Sequence, residues 1–182
     1  MKFLETNIKD LLVIEPILFG DSRGWFTESY NYQDFKSNGV TINFIQDNHS
    51  YSATKGVLRG LHFQNNPNAQ TKLVRCTRGK IWDVAVDLRK SSPTYLKWFG
   101  IELSEENHKM LLIPQGFAHG FITLESNSEV QYKVDNFYDK SSDRSIKYDD
   151  PMINIQWPKI EVILSDKDKN APLLRDSDVN FI

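Results

Sequence analysis

The chain has 182 residues, of which 40% are hydrophobic and 25% charged, with a formal net charge of −2. That is enough chain for one domain with a real core, and the charge excludes an overall basic nucleic-acid footprint. The single cysteine, Cys76, rules out an intrachain disulfide, the start Met1–Asn7 is too polar for a signal peptide, and no apolar run approaches the ~20 residues of a membrane helix. The expectation is a cytoplasmic protein that binds neither nucleic acid nor membrane.

Short runs of period-two or two-sided apolar character, punctuated by Gly, Pro, Asp, Asn and Ser, predict strands throughout. Leu11–Phe19 reads as the first, followed by a turn at Gly20-Asp21-Ser22-Arg23-Gly24. Trp25–Tyr30 reads as its continuation, with Phe26, Glu28 and Tyr30 on one face. Tyr32–Ser37 suits one short helix, ended by Asn38-Gly39. Further strands are expected at Phe44–Ser52, Val57–Phe63, Leu73–Thr77, Ile81–Asp87, Trp98–Leu103, Met110–Ile113, Gly116–Leu124 and Val130–Phe137. Ser165-Asp166-Lys167-Asp168 resembles the capped start of a short helix. No repeat, linker or low-complexity tract interrupts this order. The pattern predicts a mainly β sandwich or barrel with a few short helices, one domain over residues 1–182.

Four histidines bound the acid–base chemistry: His49, His62, His108 and His119. His108 follows Ser104-Glu105-Glu106-Asn107 and is expected to be solvated. His62 lies in Leu58-Arg59-Gly60-Leu61-His62-Phe63-Gln64. A lone strand histidine is more often structural than catalytic, but Gly60 inside the strand suggests a bulge. On regular alternation Arg59 and His62 face apart. One extra residue at Gly60 turns both to the same side.

Metal is not expected. Pro114–His119 looks like the second cupin motif, but the first fails, because Gln64 rather than histidine stands two residues after His62. Lys72 shares a strand face with Val74 and Cys76, and reads either as a solvated strand end or as a placed cation. In Glu129–Val134, Tyr132 points inward with Val130 and Val134, as a core tyrosine or as a proton donor. Asp168, three residues after Ser165, closes a helix cap or serves a histidine. Arg23, Arg59, Lys72 and Lys167 are separated in sequence, and together would make an anion site.

Taken together, seven collinear segments resemble the dTDP-4-dehydrorhamnose 3,5-epimerase family. They are Phe19–Gly24, Gln46–Ser50, Leu58–Gln64, Lys72–Arg75, Asp83–Asp87, Ile113–Phe121 and Ser165–Asp168. The resemblance implies a mainly β, cupin-like double-sheet jelly-roll barrel and cofactor-independent inversion at C3 and C5 of dTDP-4-dehydro-6-deoxy-D-glucose, giving dTDP-4-dehydro-L-rhamnose for dTDP-L-rhamnose synthesis. Carried over by motif, His62 is similar to the general base, Asp168 to the carboxylate that orients it, Tyr132 to the opposing acid and Lys72, with Arg59, to the stabiliser of the enolate. Arg23, Phe26, Glu28, Gln46, Asp47, Asn48, His119, Asp143 and Lys167 match substrate-contact positions, and Tyr138 the residue that stacks on thymine. The resemblance also implies a homodimer with exchanged N-terminal strands, in which Arg23 and Glu28 serve the neighbour's site. Trp25 departs from the commoner Phe. Relatives on this scaffold that epimerise one carbon, or isomerise related 4-keto-6-deoxy sugar nucleotides, share the same motifs and remain the alternative. A metal-dependent oxygenase and a non-catalytic nucleotide-sugar-binding barrel are the readings outside that class.

Overall fold

Alternating apolar residues along antiparallel strands build two facing sheets in the computed structural model, which describes residues 1–182. In chain order the elements are β1 (Lys2–Glu5), β2 (Leu12–Glu15), β3 (Phe19–Asp21), β4 (Gly24–Phe26), α1 (Tyr32–Ser37), β5 (Gln46–Ser52), β6 (Leu58–Gln64), β7 (Lys72–Arg78), β8 (Lys80–Asp87) and β9 (Trp98–Ser104). They continue with β10 (Met110–Ile113), β11 (Phe117–Thr123), β12 (Ser128–Val134), β13 (Asp143–Ser145), α2 (Asp166–Lys169) and a 3-10 turn at Leu174–Asp176. One sheet has the order β1-β2-β10-β7-β12-β5 and the other β13-β6-β11-β8-β9, while β3 and β4 form a separate two-stranded hairpin. This is the predicted jelly-roll barrel of cupin type.

The pleat divides the core into three layers. Between the sheets lie Val13, Val74, Cys76, Leu111 and Val130 from one side and Ile81, Ala85, Phe117 and Phe121 from the other. Leu61, Phe63, Val84, Val86 and Ala118 face outward, where the C-terminal segment covers them with Ile146, Ile153, Ile155, Leu174 and Phe181. Ile14, Leu73, Met110 and Leu112 are covered by Phe35 of α1 and by Val40. Helix α1 starts at Asn31, whose side chain accepts the N–H groups of Gln33 at 2.9 Å and Asp34 at 3.4 Å. It ends where sequence punctuation places its end, at Asn38.

The strand expectations need four corrections. Leu11–Phe19 is not one strand: β2 stops at Glu15, because Pro16 has no N–H to donate, and the chain re-enters a sheet only at Phe19. Trp25–Tyr30 does not continue as a strand either. The hairpin pairing ends at Phe19↔Phe26, and Tyr30 instead packs on Phe35 and Phe44 at 4.9 and 5.4 Å between ring centres. The strand expected from Phe44 begins at Gln46, and that expected to reach Phe137 ends at Val134, after which the Asp135 carboxylate accepts the Thr71 N–H at 2.6 Å. Strands β1 and β13 were not foreseen. His108 is also not simply solvated, since Trp25 packs edge-on against it at 4.6 Å.

Candidate active site

The bulge expected at Gly60 is present. His119 of β11 pairs with His62 and Phe121 with Arg59, so three steps along β6 match two along β11. His62 and Arg59 therefore share the inner face, the same face as His119 and Phe121. Gly60 has φ +138°, and a methyl added there would lie 2.5 Å from the Gly120 Cα and 2.9 Å from the His119 carbonyl oxygen. The close strand approach thus requires glycine at this position.

From this inner face the His62 Nε2 meets the Asp168 Oδ1 at 2.5 Å. Asp168 is 3% exposed and is held twice by Ser165, whose hydroxyl donates to Oδ2 at 2.7 Å and accepts the Asp168 N–H at 3.2 Å. The capping role and the histidine-orienting role of Asp168 are therefore one arrangement. Burial alone would raise its pKa, but the hydrogen bonds from His62 and Ser165 outweigh burial and hold the carboxyl below its usual range. Such a carboxylate fixes the orientation of the imidazole, as in other His–Asp pairs.

The facing sheet supplies the other groups. Tyr132 of β12 stands between Val74 on β7 and Asn48 on β5 in register. Burial pushes its phenol pKa up, with nearby Arg59 opposing, so the hydroxyl stays protonated. Lys72 opens β7 on the same inner face, and its Nζ reaches the His62 carbonyl at 3.5 Å. Burial pushes the ammonium pKa down to about 8, against the attraction of Asp83 and Asp143. Lys72 is a placed cation rather than a solvated strand end, charged at neutral pH.

Around this centre the expected contact residues divide into two groups. Gln46 and Asn48 face inward on β5, joined by a 2.8 Å bond. Arg59 bonds the Tyr51 carbonyl at 3.1 Å. Asp143 on β13 sits beside Gln64 and accepts from Lys167 Nζ at 2.6 Å and from the Tyr138 hydroxyl at 3.3 Å, so Tyr138, Asp143 and Lys167 form one exposed rim. His119 lies deeper, bonded through Nε2 to the Asp83 Oδ1 at 2.8 Å. Burial lowers its pKa, with the charges of Lys72 and His62 adding to the effect against Asp83, which leaves the ring neutral.

Four expected residues are not brought to this cleft within the chain. Asp47 points to the opposite face of its sheet, ion-paired with Lys133 at 2.8 Å, beside a groove of about 300 Å³ lined also by His49, Arg75 and Gln131. Arg23, at the tip of the β3–β4 hairpin, bonds only Asp21. Phe26 is 65% exposed on that hairpin, and the Glu28 carboxylate accepts from Asn31 at 3.3 Å. Sequence reasoning also missed one group the structure places in the site, Asp83. The available signal was its position in Ile81–Asp87, where alternation sets it on the apolar face of Ile81 and Ala85.

A carboxylate-held histidine on one side of the barrel and a buried phenol and ammonium on the other form a set able to move protons next to a carbonyl. Comparison with known proteins agrees with that chemistry. The family model for dTDP-4-dehydrorhamnose 3,5-epimerase matches residues 5–176. The chain is similar to the dTDP-4-dehydrorhamnose 3,5-epimerase of Shigella flexneri, with 53% identity over 98% of each chain. It is also similar to a Bacillus anthracis dTDP-4-dehydrorhamnose 3,5-epimerase solved with TDP and PPi bound, at 54% identity and TM-score 0.93 over 95% of this chain and 99% of that one. A third likeness is to the Legionella pneumophila dTDP-6-deoxy-D-glucose-3,5-epimerase in complex with dTDP-4-keto-L-rhamnose, at 45% identity and TM-score 0.93 over 97% and 94% of the two chains. With its barrel and nearly its whole length in common with them, the chain belongs to the dTDP-4-dehydrorhamnose 3,5-epimerase family.

Proposed function

We propose that this protein, acting as one domain over residues 1–182, epimerises dTDP-4-dehydro-6-deoxy-D-glucose at C3 and C5 to dTDP-4-dehydro-L-rhamnose, without cofactor or metal, in cytoplasmic dTDP-L-rhamnose synthesis. The observation that carries this reading is the His62–Asp168 pair on one sheet facing Tyr132 and Lys72 on the other. Hydrogens on carbons beside a ketone are acidic, because the carbanion spreads onto the carbonyl oxygen. His62, oriented by Asp168, removes such a proton as general base. The enolate oxygen at C4 is stabilised by the Lys72 ammonium with Arg59 beside it. Tyr132 returns a proton from the opposite face and inverts the carbon. The rim of Tyr138, Asp143 and Lys167, with Gln46, Asn48 and His119, holds the nucleotide and sugar, and Tyr138 stacks on thymine.

The remaining contacts come from a second copy. Ile17, Phe19, Trp25 and Phe26 of the hairpin arm are 52%, 60%, 58% and 65% exposed, an apolar surface that a monomer rarely leaves uncovered. In the proposed homodimer this arm is exchanged, so that Arg23, Phe26 and Glu28 complete the partner's site and Arg23 grips the diphosphate.

The test of function is solvent deuterium incorporation, followed by NMR, with the product trapped by a downstream reductase. Deuterium at both C3 and C5 in the L-sugar is the expected result. Label at one carbon assigns a single-carbon epimerase or ketoisomerase, and no label assigns a binding protein. His62→Ala is expected to lower kcat by about 10²–10⁴-fold, and near-normal turnover of that variant would remove His62 as the base.

A further inference from the structure

Asp83 is a fully buried carboxylate on β8, and only one of its oxygens is accounted for. Oδ1 meets His119 Nε2 at 2.8 Å, while Oδ2 is buried with no hydrogen-bond partner. Buried carboxylate oxygens are normally paired, so an orphan calls for a nearby positive charge. On β8 the side chain occupies the inner face, opposite Phe121 and Ile101 in register. Across the gap, Lys72, Val74 and Cys76 point inward from β7. Cys76 is not the missing partner: its thiol is turned to the Arg78 carbonyl at 3.1 Å, and burial pushes its pKa up to about 12. The cation on that side is Lys72, whose Nζ makes only a long 3.5 Å contact with the His62 carbonyl and lies more than 4 Å from Asp83, within reach of its charge.

We propose that Asp83 is a positioning residue for two groups at once: Oδ1 holds the His119 ring by its Nε2 proton, and Oδ2 supplies the counter-charge to the Lys72 ammonium on the facing strand. The charged and titratable groups around that ammonium are Asp83 on β8, Asp143 on β13, Lys167 on α2, and His62 and His119 on β6 and β11. Of the two carboxylates, Asp83 acts on Lys72 more strongly than Asp143 does, and Asp143 is already paired with Lys167. The site then holds two histidine–carboxylate pairs with different duties. In the first, His62, oriented by Asp168, exchanges protons with substrate. On the floor, His119 stays neutral with its proton on Nε2, and Nδ1 is free to accept from a sugar hydroxyl.

The kinetic consequence rests on the proposed role of Lys72, so the primary test reads Lys72 directly in the protein without substrate. The pH dependence of Lys72 acetylation by acetic anhydride, measured by peptide mass spectrometry, is compared between wild type and Asp83→Asn. The expected result is a wild-type midpoint near 8, displaced downward by about one unit in the variant, as for loss of a close opposite charge. The alkaline limb of kcat should move by the same amount. An unchanged Lys72 midpoint would overturn the proposal. A shifted midpoint with an unshifted kcat profile would support Asp83 as the partner of Lys72 while removing Lys72 from the chemistry. The converse variant, Lys72→Met, keeps Asp83 intact, and its His119 ¹⁵N titration should rise once the neighbouring cation is gone. A His119 titration unmoved by Lys72→Met also overturns the proposal.

Discussion

Lys72 and Tyr132 are pushed by burial in opposite senses, the lysine toward losing its proton and the tyrosine toward keeping one. An enolate stabiliser must be charged, so activity should fall as pH rises through about 8, where Lys72 becomes neutral. A kcat profile that stayed flat to pH 9.5 or so would remove the lysine from the rate-limiting step. Tyr132→Phe keeps the ring in the barrel and deletes only the hydroxyl that carries the proton. Turnover should drop by about 10²-fold or more, with little change in the affinity for dTDP measured by calorimetry. At this scale the sequence was informative wherever a motif names a residue type in a fixed place, as for His62, Lys72, Tyr132 and Asp168. It was silent on Asp83 because an aspartate on an apolar strand looks the same whether water or a buried histidine satisfies it. Asp47 shows a related limit of sequence. In Gln46-Asp47-Asn48 the pleat turns the middle side chain to the other face, so a motif contiguous in sequence is divided in space.

Element β6 is where backbone geometry creates the site. Without its bulge, Arg59 would face the C-terminal segment rather than the cleft. Gly60→Ala places a methyl against Gly120 and the His119 carbonyl at a positive φ, so both strand approach and backbone conformation oppose it. The expected cost is at least about 2 kcal/mol, read from urea unfolding. Catalysis should be lost even in the surviving folded fraction, because relaxation of β6 moves His62 away from Asp168. A variant with wild-type Cm and kcat would show that the bulge is incidental. The bulge was legible because glycine in the middle of a strand has few other uses. Helix α1 was legible for similar reasons, with Asn31 to begin it and Asn38-Gly39 to end it. Strand β13 was not, since Asp143-Arg144-Ser145 has no apolar pattern of its own and becomes a strand only by pairing with β6. The arm was overextended in the sequence reading because the apolar residues of Trp25–Tyr30 suit a strand, yet β4 has only the three residues of β3 to pair with.

At the scale of the whole molecule, the chain carries an exposed apolar arm, with Arg23, Phe26 and Glu28 away from the cleft that holds His62 and Tyr132. Two sheets, their order along the chain and the layer between them follow from period-two patterning, which is why the barrel was legible in outline. The position of the hairpin was not, because patterning specifies which face is buried but not against which copy. The proposed closed two-fold pair would relate both features: the arm that one chain leaves exposed would be a wall of the other's site. The proposed exchange makes a prediction that no monomeric site can mimic. Arg23→Ala and His62→Ala each disable every site of their own homodimer, the first at substrate concentrations well below KM, where loss of diphosphate binding is felt most. In a mixed dimer with exchanged arms, one site receives both substitutions and the other receives neither. Equal mixing, unfolding and refolding of the two inactive variants should therefore restore about one quarter of the wild-type activity, since half of the dimers are mixed and each contains one intact site. If Arg23 instead served the site of its own chain, every site in the mixture would carry one lesion, and activity would stay at the level of the separate variants.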